Sequence, residues 1–261
     1  MTRAATALRA SAGNASTALA ASIAALDWAR NAAELDAHGC TTTGVLLSPV
    51  QCEALAAAYE SPHPDKAEGR VGAMFRSRVV MARHGFGRGE YKYFAYPLPE
   101  PVAVLRTALY PALSAIANRW NEMMGAGERY PSDHVSYLRQ CAAAGQTKPT
   151  PLLLQYSPGD YNCLHQDLYG DLVFPLQVTF LLSRPGHDFS GGEFVLTEQR
   201  PRMQSRAEVV PLAQGEAVIF PVHHRPVRGA RGGYRVNMRH GVSRIRSGRR
   251  HTLGIIFHDA A

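Results

Sequence analysis

"LLLQYSPGDYNCLHQDL", residues 152–168, reads as two short β runs joined by a tight turn. Leu152 to Ser157 is an aliphatic run, and Ser157-Pro158-Gly159-Asp160 supplies the turn formers. Tyr161 to Leu168 resumes as a strand, on which residues two apart face the same side. His165 and Asp167 then aim at one point. With 11 histidines and nine aspartates, about 0.4 such pairs arise by chance, so the spacing alone decides nothing. A second pair, His63-Pro-Asp65, falls in the polar, Pro- and Gly-broken segment "HPDKAEGRVG" and reads as solvated loop.

The texture around the first pair is β throughout. From residue 151 onward come "LLLQYS", "YNCLHQDL", "LQVTFLLS", "GEFVLTE", "EVVPL", "EAVIFP", "YRVNMRHGV" and "RHTLGIIFH". Eight short strands without helical patterns between them predict a sandwich or barrel. The preceding half is mixed. Residues 15–37 read as helix. "SPVQCEALAAAYE" starts a helix with Ser48 as N-cap, Pro49 in the first turn and Gln51 completing a capping box. "RSRVVMARHGFGRGEYKYFAYP" predicts two strands about a Gly-rich turn. "PEPVAVLRTALYPALSAIANRWNEMMG" has apolar residues at helical spacing, its Trp and Met read as core, with Gly125 beyond its end. The expected class is mainly β with helical N-terminal support (α+β). Residues 1–39 are expected to form an Ala-rich helical extension. Residues 40–261 form one domain, with helical support over 40–150 and a β core over 151–261.

At 46% hydrophobic and 19% charged, the chain can bury a core. No apolar run approaches a membrane span. Cys40, Cys52, Cys141 and Cys163 lie far apart with no Cys-x-x-Cys pair, which excludes a zinc-finger pattern and fits a reducing cytoplasm. The first 25 residues hold Arg3 and Arg9 and no acid, as a transit peptide can, and read as a frayed Ala-rich helix. The net charge is +7, with three lysines. Twelve arginines fall between Arg200 and Arg250 against Glu208 and Glu216, a balance that suits phosphates or reflects arginine-rich composition.

Two imidazoles and one carboxylate suit a non-haem Fe(II) with open positions, so a third ligand is required. His187 sits in the turn "RPGHDFSGG" and reads as surface. His223, His224, His240, His251 and His258 remain. Ten residues past His240, Arg250 opens a strongly apolar strand. A buried guanidinium needs an anion, and its planar fork suits a carboxylate. Arg249, its neighbour, faces solvent by alternation.

These residues resemble the Fe(II)/2-oxoglutarate-dependent dioxygenases of the prolyl-4-hydroxylase-like branch. The pattern is His-x-Asp, a distant His, and a basic residue about ten positions on: "HQD", "RHGV" and "SGRRHTLGIIFH". "FSGGEF" and "GEAVIFP" look like the strands between the motif halves, and "GVLLSPVQCEALAAAY" like the family's entry segment. The likeness spans roughly residues 40–261 and is stronger from 152 onward. It implies a double-stranded β-helix, or jelly roll. It implies Fe(II) on His165, Asp167 and His240, with 2-oxoglutarate and O₂ completing the sphere and ascorbate as an expected reductant. The far carboxylate of 2-oxoglutarate would pair with Arg250. Tyr156, with Thr179 as a second candidate, would hydrogen-bond the co-substrate.

Two departures stand out. The stretch from Pro221 to Arg239 is longer than the family's usual connection and makes His224 a rival to His240. Leu181 stands where some relatives carry a tyrosine, so the far carboxylate would have a different second partner.

A bacterial group with a similar C-terminal half is labelled as oxygenases of damaged nucleic acid, so nucleic acid is one expected substrate. The prolyl-hydroxylase likeness makes a protein or peptide side chain the alternative. From another class, a non-catalytic metal-binding jelly roll would have no need of Arg250.

Overall fold

Burial along single strands shows how the layers form. In the computed structural model, which describes residues 15–60, 74–168, 170–229 and 232–261, Leu176–Leu181 is buried at every position, whereas Gly232–Val242 alternates. The first is a central strand covered on both faces, the second a strand with one wet face. In chain order the strands are β1 (Thr41–Val45), β2 (Phe75–Val80), β3 (Gly87–Arg88), β4 (Glu90–Phe94), β5 (Leu152–Tyr156), β6 (Tyr161–His165), β7 (Leu176–Leu181) and β8 (Phe189–Gly191). Then follow β9 (Phe194–Gln199), β10 (Arg206–Val210), β11 (Glu216–Pro221), β12 (His224–Gly229), β13 (Gly232–Val242), β14 (Ile245–Gly248) and β15 (Arg250–Ile255). One seven-stranded sheet runs β1-β11-β7-β15-β5-β4-β2. It faces a smaller sheet, β10-β9-β13-β6-β3, to which β12 adds by pairing β13. The pairs between these strands are antiparallel among the described residues, as in a jelly roll.

The period-2 pattern divides the large sheet's residues between two cores. Val178, Phe180, Ala217, Ile219, Leu253 and Ile255 face outward into a cluster with the helices. Leu181, Val218 and Phe220 face inward toward Phe194 and Leu196 of the small sheet. The helices are α1 (residues 15–24), α2 (Trp28–His38), α3 (Pro49–Ala58), α4 (Glu100–Met123) and α5 (His134–Ala143). The long α4 lays Leu105, Leu109, Leu113 and Trp120 on the outer face of the large sheet. Leu19, Ile23 and Leu35 join the same cluster, so residues 15–38 are packed onto the sheet's helical cover.

All eight strands expected after residue 151 are present, as are the hairpin before α4 and the Ser48–Gln51 capping box. The single helix expected over 15–37 is broken at residues 25–27, where Asp27 caps α2 by accepting from the Arg30 N–H. Helix α5 has no counterpart in the expectations, although Asp133 at its N-cap and Gly145 beyond its end are ordinary boundary signals. The long connection from Pro221 to Arg239 is the hairpin β12–β13. The His63/Asp65 pair and residues 1–14, over which the Ala-rich extension is expected to begin, lie outside the described residues.

Candidate active site

The small sheet supplies three ligand-type side chains. β6 ends at His165, shorter than the strand expected through Leu168, and Asp167 lies just beyond it. His165 is the cross-strand partner of His240 on β13. A register shift follows, with Val242 opposite Asn162, so that Cys163 and Leu164 form a bulge on β6 opposite Gly241. A Cβ on Gly241 would lie 2.7 Å from the Asn162 carbonyl oxygen, so only glycine fits there without a shift. The bulge turns both Asn162 and His165 toward the interior, and both line one cavity.

The geometry suits an ion. His165 Nε2 lies 3.3 Å from Asp167 Oδ1, and His240 Nε2 lies 3.4 Å from Asp167 Oδ2. All three ligand atoms fall within 4.8 Å of one another. Donors about 2.1 Å from a shared ion sit about 3 Å apart at adjacent corners, close to what is seen. His165 Nδ1 donates to the Cys163 carbonyl at 2.8 Å, which leaves the Nε2 lone pair facing the cluster. Burial opposes charge on Asp167, but the two imidazoles outweigh it and hold its carboxyl well below the usual range. Burial and the neighbouring His165 lower the pKa of His240, favouring its neutral form. For His165, burial pulls down and Asp167 pulls up, with a net rise. The donor set therefore fits Fe(II).

The large sheet supplies the opposite wall. Tyr156 on β5 and Arg250 on β15 are cross-strand partners, and both are buried. They line the same cavity of about 190 Å³ as the triad, with Thr179, Gln177 and Thr252. Arg250 Nε and Nη1 have no hydrogen-bond partner. Neither do the Tyr156 hydroxyl, Gln177 Oε1 and His240 Nδ1, all on cavity-lining residues. Burial lowers the Arg250 pKa to about 10, still a cation at neutral pH. Native interiors rarely leave such groups unpaired, so their gathering in one cavity marks a place for a polar ligand. Orphaned donors on Arg250 suit an anion.

Of the rival histidines, His224 at the start of β12 lies against His223, with ring centroids 3.4 Å apart and planes tilted by 43°, and does not line the cavity. His187 is exposed and bonded to Asp188, and Arg249 is exposed. Leu181 packs in the apolar cluster between the sheets. Gln177 was missed from sequence; its signal was a polar side chain inside a run of buried residues.

The crystal structure of an oxidoreductase of the 2OG-Fe(II) oxygenase family from Burkholderia pseudomallei superposes with a TM-score of 0.51 at 16% identity, covering 90% of this chain and 93% of that one. A Pseudomonas putida prolyl-4-hydroxylase gives 0.48 at 15% identity, over 88% and 98%. Fold and site define the class: a jelly-roll oxygenase of the Fe(II)/2-oxoglutarate type, an oxidoreductase. Residues 89–260 match the model of a family described as "Oxygenase, catalysing oxidative methylation of damaged DNA", and the chain belongs to that family. Uncharacterized proteins of two Mycobacterium tuberculosis strains are 44% identical over 209 residues, covering 78% of this chain and 90% of theirs. No helix among the described residues is long and apolar enough to cross a membrane.

Proposed function

We propose that this dioxygenase hydroxylates or oxidatively demethylates damaged nucleic acid, with His165, Asp167 and His240 as the metal ligands and Arg250 and Tyr156 as the co-substrate residues. The observation that carries the site assignment is Arg250: a buried guanidinium with two unpartnered N–H groups in the cavity that holds the triad. When bound, Fe(II) and 2-oxoglutarate supply O₂ activation, with 2-oxoglutarate leaving as succinate and CO₂ and one oxygen atom going to the substrate. The chain's residues prepare that chemistry. Asp167 stays ionised between two imidazoles. The Cys163 carbonyl fixes the His165 tautomer. Arg250 receives the far carboxylate of the co-substrate through its fork, and the Tyr156 hydroxyl and Gln177 amide bond its remaining oxygens. Leu152, Leu154, Phe194 and Val242 make the rest of the wall apolar and limit water.

Support for the substrate comes from the family description and from charge. Arg202, Arg228, Arg235, Arg239, Arg244 and Arg246 are exposed, while Arg200, Arg206 and Arg225 lie against Glu198 and Arg249 against Glu60. Residues 40–261 would form the catalytic unit, with 15–39 packed against it. Four free cysteines fit a reducing cytoplasm, and ascorbate would serve as reductant.

Purified protein with Fe(II), ascorbate and 2-oxoglutarate should release succinate slowly without substrate, and Asp167→Ala should reduce this to background. Methylated single-stranded oligonucleotide should bind with a steep salt dependence and show a −14 or +16 Da product. Succinate release that survives Asp167→Ala sinks the ligand assignment. Product on peptides alone moves the substrate to protein.

A further inference from the structure

The rim of the cavity carries an aromatic pair that the metal and co-substrate chemistry does not use. Phe86 lines the cavity yet is 47% exposed. Among the described residues, it and Leu168 are the only large apolar side chains both strongly exposed and in the cavity wall. His84 stacks on Phe86, with ring centroids 5.3 Å apart and planes 22° from parallel. The turn that bears them is fastened to the strand that ends at His165. The Phe86 carbonyl accepts from the Cys163 N–H at 2.9 Å, and Gly87 and Arg88 pair with Asn162 and Tyr161. Gly87 has φ 118°, and a Cβ there would meet the Tyr161 carbonyl oxygen at 2.4 Å, so the close approach requires glycine. Arg83 and Arg88 flank the pair, both exposed, with no carboxylate in an ion pair to either among the described residues.

We propose that Phe86, backed by His84, is the platform on which a nucleobase stacks as its modified atom enters the cavity, with Arg83 and Arg88 taking adjacent phosphates. The proposal rests on the nucleic-acid reading above. Aromatic faces interleaved with cations bind single strands because every base has a π-face and every linkage a negative charge. A neutral peptide would explain the phenyl face but not the two exposed arginines on either side of it, which have no ion pair among the described residues.

The test uses the full-length protein under anaerobic conditions with Fe(II) and 2-oxoglutarate, and a single-stranded oligonucleotide carrying one 2-aminopurine. Binding to the wild type should quench 2-aminopurine fluorescence. Phe86→Leu, which keeps an apolar side chain at an exposed position, should abolish the quench and weaken binding by about 5- to 150-fold, the range for loss of one base–aromatic stack. Phe86→Trp should restore both, and Arg88→Gln should reduce the salt slope by about one. If the wild type binds with a steep salt slope and Phe86→Leu changes neither quench nor affinity, the platform is overturned while the nucleic-acid reading stands. If the wild type binds a peptide and no oligonucleotide, the reading fails, and the platform with it.

Discussion

Arg106 and Arg250 are buried equally deeply, at 1% and 2% exposure, and their surroundings are opposite. Arg106, on α4, donates to the carbonyls of Ile256, Phe257 and His258, to the Tyr96 hydroxyl and, at 2.7 Å, to Asp259. It ties the helical layer to the end of the chain. Arg225 is similarly engaged, bonded to Glu198 and to the Asp36 carbonyl. Arg250 has its Nε and Nη1 facing no acceptor at all. Evolution of a stable core satisfies buried cations within the chain, because an uncompensated one costs several kcal/mol. A buried cation left open, in a cavity with other orphaned polar atoms, has its partner outside the chain. The contrast marks Arg106 as structural and supports the proposal that Arg250 binds a ligand.

Substitution should separate them in measurement too. Arg106→Met leaves Asp259 buried without its cation and should cost about 3–5 kcal/mol in urea unfolding. A loss under 1 kcal/mol would remove the structural half of the contrast. Acid should loosen the same region. Burial and the Arg106 charge lower the pKa values of His134 and His258 from 6.5 to about 4. His258 Nδ1 accepts from the Phe174 N–H at 3.1 Å, so a proton there breaks a bond. Between pH 6.5 and 4 the unfolded chain binds protons that the folded chain does not, so stability falls as pH falls through that window. The loss should approach roughly 3 kcal/mol per histidine at pH 4. A urea midpoint unchanged from pH 7 to 4.5 would contradict it.

The smaller effects test the other half. Arg250→Met should weaken 2-oxoglutarate binding by about 10- to 150-fold, as for a lost charged hydrogen bond, with iron retained and melting temperature unchanged or raised. A lowered melting temperature with normal 2-oxoglutarate affinity by calorimetry would make Arg250 structural after all. Tyr156→Phe should weaken the same affinity by about 2- to 10-fold, the range for one neutral hydrogen bond. No change would leave the hydroxyl without a ligand role.

Much of this was legible locally. The strands after residue 151 show in alternation and turn chemistry, because side-chain period and backbone conformation are set by near neighbours. The α3 capping box is written in four consecutive residues. What blurred was boundary and packing. β6 stops at His165, so Asp167 reaches the cluster from beyond the strand rather than by strict alternation. Helix α5 is hard to read in sequence because it spans only ten residues, of which His134, Tyr137 and Cys141 are buried.

The sequence by itself determined that a His-x-Asp pair, several downstream histidines and an arginine entering an apolar strand were present. It could not rank His240 over His224, nor say that Arg250 lacks a partner, nor that Phe86 stands at the cavity rim. Those follow from the pairing of β13 with β6 and from the facing of two sheets, which bring together residues distant in the chain. Register between remote strands is fixed by the burial of whole faces at once, and no local stretch of sequence contains that sum.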